Sequence, residues 1–84
     1  MVYTATVRGS GLEFKSSDTR AFRAAAAARR AFDAAWRERG LKGRAHVSIS
    51  LCLGDTEIFR AHGMGTLSAF ASFRDSLGEM RRGA

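Results

Sequence analysis

Arg23, Arg30 and Arg37 stand seven residues apart within residues 18–39, an alanine-rich stretch that carries six arginines. Seven residues is close to two helical turns, so a helix here aligns the three guanidinium groups on one face at intervals of about 10.5 Å. Guanidinium is a planar, permanently charged fork that grips phosphates and carboxylates, so such a row is chemistry for holding an anionic partner. Arg44 and Arg60 are candidates to extend the cationic area from the helix end toward a sheet. The competing reading is a solvated helix face whose arginine stems cover apolar neighbours. Asp33 lies four residues before Arg37 and can also face Arg30 or Arg29, so part of the row is expected to be neutralised locally.

The other reactive side chains make weaker patterns. His46, Cys52 and His62 raise a thiol nucleophile or a metal site, yet zinc wants four ligands in clustered pairs and neither histidine falls opposite Cys52 in the strand pairing preferred below. No serine, histidine and acid set stands out, and a chain of 84 residues has little room to enclose a pocket. No catalytic residue, metal ligand or cofactor is assigned, and the chain reads as a non-enzyme.

Gly63-Met64-Gly65 occupies the strand-to-helix position of a phosphate loop, but Ser68 stands where a dinucleotide fingerprint wants a third small residue. It reads as a plain connection. Gly40-Leu41-Lys42-Gly43 has the spacing of a KH-domain clamp, which joins two helices; here it follows one helix and precedes a strand, and reads as a helix cap and turn. A double-stranded-RNA-binding domain is disfavoured because residues 66–70 lack the lysines it places at the start of that helix.

The elements that must carry these residues follow from hydrophobic periodicity. Tyr3, Ala5 and Val7 alternate with polar residues as in a half-buried strand, Gly9-Ser10-Gly11 breaks it, and Leu12 and Phe14 begin a return strand. Ser16, Ser17 and Asp18 offer cap oxygens to the arginine-bearing helix, whose apolar arc combines Phe22, Ala25, Ala28, Phe32, Ala35 and Trp36. Gly40 sits at the left-handed C-cap position with Leu41 as its apolar contact. Val47, Ile49, Leu51 and Leu53 alternate with His46, Ser48, Ser50 and Cys52, and Gly54-Asp55 turns the chain into a return strand over residues 56–62.

The register of this second hairpin decides which residues face outward, because a one-residue slip exchanges the faces. A two-residue loop pairs Ile49 with Arg60, whereas a three-residue loop pairs Leu51 with Phe59 and Ile49 with Ala61. The second is preferred, and it collects His46, Ser48, Ser50, Arg60 and His62 on the outer face. Thr66 is then expected to cap a last helix with Leu67, Phe70, Phe73, Leu77 and Met80 at helical spacing, and Arg81 and Arg82 at its C-terminal end suit the helix dipole. The fold class is α+β: a small antiparallel sheet in the order β-β-α-β-β-α with two helices on one face.

Fourteen basic against eight acidic residues give a net charge of +6, which favours nucleic acid, an anionic surface or an acidic protein. Length and continuous patterning fit one compact domain, residues 1–84. The apolar run over residues 24–28 is far below the ~20 residues of a bilayer span. Residues 1–9 read as a strand rather than a secretory leader and Cys52 is unpaired, so the expected location is the cytoplasm.

An N-terminal strand, a Ser/Asp-capped alanine-rich helix and a glycine-turned hairpin beginning at Arg44 give a layout that resembles small phage anti-CRISPR proteins acting on type I CRISPR complexes. The resemblance implies a compact, non-enzymatic inhibitor in the host cytoplasm that binds a subunit of a crRNA-guided surveillance complex. It carries no functional residues over. A net charge of +6 departs from the acidic, DNA-mimicking members, so the expected partner is an acidic protein surface or a nucleoprotein complex. The alternative is a stand-alone basic nucleic-acid-binding regulator. A homodimer joined through helix or strand edges is a third class, distinguished by doubled mass in solution.

Overall fold

A computed structural model describes residues 1–82, with side chains placed for residues 1–80. The expectation for Arg81 and Arg82 concerns side chains outside the described residues. The chain runs β1 (Tyr3–Gly9), β2 (Leu12–Asp18), α1 (Ala21–Glu38), β3 (His46–Leu53), β4 (Thr56–Met64) and α2 (Thr66–Arg82). The strands form one antiparallel sheet in the spatial order β2-β1-β3-β4. This is the α+β fold expected, with the strand order added by the structure.

Both helices cover the same face. α1 lies mainly over β1 and β2, and α2 over β4. The inward row of each strand is the apolar one: Ala5 and Val7 from β1, Leu12 from β2, Val47, Ile49 and Leu51 from β3, Ala61 from β4. Phe32 of α1 and Phe73 of α2 are the largest side chains sealed beneath the helices. Removing each from water stabilises the fold by about 1.5–3 kcal/mol. The small residues Ala21, Ala24, Ala25 and Ala28 let α1 sit close on the sheet.

The first hairpin turns on Ser10 and Gly11, whose φ values of 50° and 79° are the paired positive angles of a I′ loop. The second reconciles two alternatives that the sequence set against each other. Its loop has two residues, since Leu53 pairs with Thr56, yet Leu51 pairs with Phe59 and Ile49 with Ala61. A bulge makes up the difference: Cys52 pairs with Glu57, and Ile58 is the extra residue. The preferred pairings stand, and the three-residue loop proposed to produce them does not.

Three helix-end expectations meet the structure differently. Gly40, at φ 64°, and Leu41 close α1 through N–H bonds to the carbonyls of Arg37 and Trp36 (3.0 and 3.2 Å), the expected glycine C-cap. At the other end, Ser16, Ser17 and Asp18 belong to β2, and the N-cap is Arg20 with no side-chain cap bond. Asp18 Oδ1 instead accepts the Arg20 N–H at 2.9 Å and turns the chain into the helix. α2 begins at Thr66 itself, after Gly65 at φ 96°, rather than being capped by it.

Gly63 is a strand residue and not part of a loop. A Cβ there would lie 2.4 Å from the Ala69 nitrogen, so the absence of a side chain is what lets the first turn of α2 rest on β4. Three apolar residues assigned to helix cores lie outside them: Leu67 is 73% exposed, Met80 37%, and Phe22 42% while meeting Phe70 edge-on.

Candidate functional site

α1 presents its outer face to solvent because its inner face is committed to the sheet. Arg23, Arg30 and Arg37 are all exposed on that outer face, with Ala31 and Ala34 also exposed beside them. Such short neighbours leave the guanidinium groups standing clear of the surface. Asp33 is the only acid spaced three or four residues from any of the three, the offsets that meet on a helix. Its carboxylate is taken elsewhere: Oδ2 lies 3.5 Å from Arg29 Nε, while the Arg29 guanidinium carbon sits 4.9 Å from the centre of the Phe70 ring. Arg29 is therefore held between the helices by a cation–π contact and draws Asp33 toward it. The expected neutralisation of the row falls on Arg29 instead, and among the described residues Arg23, Arg30 and Arg37 have no carboxylate within ion-pair distance.

Arg44 and Arg60 part company. Arg44 is exposed in the connection between α1 and β3, also with no ion pair among the described residues, and continues the cationic area past the end of α1. Arg60 points from the opposite side of the sheet. The bulge at Ile58 puts Glu57 and Arg60 on that same open face, where Arg60 Nε and Nη2 donate to Glu57 Oε1 at 3.0 and 2.9 Å. The sequence grouped Arg60 with the helix row; the structure separates them by the thickness of the fold.

The open face is a lattice of cross-strand partners. Arg8 pairs with Glu13 directly opposite it, and the Thr4 and Ser17 hydroxyls meet at 2.8 Å. His46 and His62 stack with ring centres 5.1 Å apart and share a hydrogen bond of 3.2 Å between ring nitrogens. His46, Ser48, Ser50, Arg60 and His62 do share this face, as the preferred pairing requires. Cys52 is half-buried and lies opposite Thr4 and Glu57 rather than a histidine. Among the described residues, no group of three or more His, Cys, Asp and Glu is arranged to hold a metal ion.

No protein-family model, curated protein or solved structure matches this chain. The site therefore rests on its own geometry. Among the described residues, no helix is long and apolar enough to cross a membrane.

Two depressions flank the arginine row. A trough at the N-terminal half of α1 is lined by Asp18, Phe22, Arg23, Ala26, Ala27 and Arg30. At the other end, α1, the turn at Arg44, the end of β4 and the first turns of α2 enclose a cleft of about 390 Å³. Phe32, Trp36, Val47 and Ala71 supply its apolar wall, while Asp33, Arg44 and Ser68 add polar groups. Met64 and Leu67, 55% and 73% exposed, also line it. A cleft of this size lies in the range of small-ligand sites, so the short chain does form a pocket after all.

Proposed function

We propose that this chain is a non-enzymatic binding protein that holds a nucleic-acid backbone along the outer face of α1, through Arg23, Arg30 and Arg37 with help from Arg44. The observation that carries this reading is the diversion of Asp33 to Arg29, which leaves the row without an ion-paired carboxylate among the described residues. Unpaired guanidinium groups at intervals of about 10.5 Å suit a partner whose negative charges repeat along a line. A net charge of +6 draws such a partner in from a distance. Arg60 is removed from the proposed site, because Glu57 already occupies its fork on the far side of the sheet.

The phosphates are either those of free nucleic acid or those held in a nucleoprotein complex, and the second source is what the anti-CRISPR resemblance implies. The recognising chemistry is the same. The purified protein is titrated against duplex DNA, single-stranded DNA, RNA and a purified type I surveillance complex, each with wild type and Arg30→Glu/Arg37→Glu. Binding to free strands that the double reversal abolishes supports a stand-alone regulator. Binding confined to the complex, and lost with the same reversal, supports the inhibitor. Full binding by the double-reversed protein overturns the arginine row in either role.

A further inference from the structure

We infer that the cleft at the end of α1 receives an unpaired base, so that the partner of the arginine row is a single strand rather than a duplex. This inference rests on the phosphate-binding reading and adds the form of nucleic acid to it. Three features converge. First, the row leads to the cleft. Residues seven apart on an α-helix step back by about 20°, and on this helix the step from Arg23 through Arg30 to Arg37 is toward the side that carries Asp33 and Trp36. The C-terminal arginine of the row is thus the one nearest the cleft wall.

Second, the cleft combines an aromatic wall with cations that have no partner. Trp36 is half-buried, lines the cleft, and stacks on Phe32 with ring centres 5.9 Å apart and planes inclined by 25°. Arg44 also lines the cleft and, like Arg37, has no ion pair among the described residues. A flat heterocycle against an aromatic wall, with its phosphates beside unpaired arginines, is the arrangement by which proteins hold bases of single strands. A purely apolar occupant would leave those cations unanswered.

Third, the cleft has a group for the edge of a base. Asp33 lines it, its carboxylate 3.5 Å from Arg29 Nε and accepting no side-chain hydrogen bond among the described residues, so it has lone pairs to accept an N–H from a base edge. In a duplex that edge is paired and the base is stacked, so neither contact forms without extruding the nucleotide. Single strands meet the requirement directly.

The test uses the wild-type protein and four 12-nucleotide probes: single-stranded DNA, single-stranded RNA, the matching DNA duplex, and an abasic strand with the sugar-phosphate backbone alone. Trp36 is the only tryptophan, so its emission reports the cleft without a label. Base insertion predicts that one or both base-bearing single strands bind about tenfold or more tighter than duplex and abasic strand and quench Trp36. Ala71→Leu, which fills the cleft from its half-buried wall, should remove the preference and the quenching while keeping the salt dependence. Equal affinity for all four probes with unchanged Trp36 emission overturns the inference and leaves the arginine row standing. No binding to any probe at low salt overturns the inference, and the arginine row is then decided by the surveillance-complex titration with wild type and Arg30→Glu/Arg37→Glu. The abasic comparison needs no variant, so it decides the matter even if Ala71→Leu fails to fold.

Discussion

The outer face of α1 and the open face of the sheet both carry arginine, and they hold it in opposite electrostatic states. On the sheet, Arg8 lies against Glu13 and Arg60 against Glu57, leaving Lys15 as the face's unpaired long-chain cation among the described residues. On α1, Arg23, Arg30 and Arg37 have no carboxylate partner among the described residues. The difference is geometric. Arg8 meets Glu13 as a cross-strand neighbour about 5 Å away, and the bulge at Ile58 brings Glu57 and Arg60 of one strand onto the same face. A helix brings together only residues three or four apart, and a seven-residue arginine spacing flanked by alanine offers few acids at those offsets. Net charge therefore says little about which face is available to a partner.

The comparison breaks most sharply under charge reversal. Arg30→Glu/Arg37→Glu and Arg8→Glu/Arg60→Glu change the net charge equally. The first should weaken nucleic-acid binding by about 100-fold at low salt and the second by less than about threefold, measured by anisotropy at fixed ionic strength. Equal losses would mean that the field of the whole molecule, and not the α1 row, governs binding.

A second contrast lies in stability. Gly63→Ala forces a Cβ to within 2.4 Å of the Ala69 nitrogen and should cost about 2 kcal/mol or more in urea unfolding, since backbone rather than a pliable side chain must give way. Ser50→Ala, on the open face, should change stability by less than about 0.5 kcal/mol. If both were silent, the close seating of α2 on β4 would be wrong.

Freeing the cations of the sheet should make its face behave like α1. Glu13→Gln/Glu57→Gln is expected to raise nucleic-acid affinity several-fold at low salt and to alter folding stability by less than about 1 kcal/mol, because exposed ion pairs contribute little. An affinity that stays at the wild-type value would show that unpaired arginine alone is not sufficient and that the helical row matters as a row.

Much of this was legible from short-range pattern. Alternation located the strands, and the apolar preference for Leu51 with Phe59 and Ile49 with Ala61 settled the pairing. The bulge was not, because a one-residue insertion at Ile58 and a one-residue longer loop produce the same pairings further along. The cap was misread because Ser16, Ser17 and Asp18 suit a helix start and equally suit the end of a strand, and the pairing with β1 decides between them. The arginine row followed from spacing alone. Its freedom from Asp33 did not, since that depends on Phe70, far along the chain, anchoring Arg29. The cleft was hidden for the same reason: its lining comes from α1, β3, β4, α2 and the turn at Arg44.

The most direct test of the arginine row is the salt dependence of single-strand binding across single alanine substitutions. Each phosphate contact on a single strand contributes about −0.7 to the slope of log affinity against log salt, so the three arginines predict about −2 or steeper for the wild type. Arg23→Ala, Arg30→Ala and Arg37→Ala should each flatten the slope by about 0.7, while Arg60→Ala leaves it unchanged. A slope that survives all three helix substitutions intact, or that flattens equally with Arg60→Ala, would contradict the assignment of phosphate binding to the face of α1.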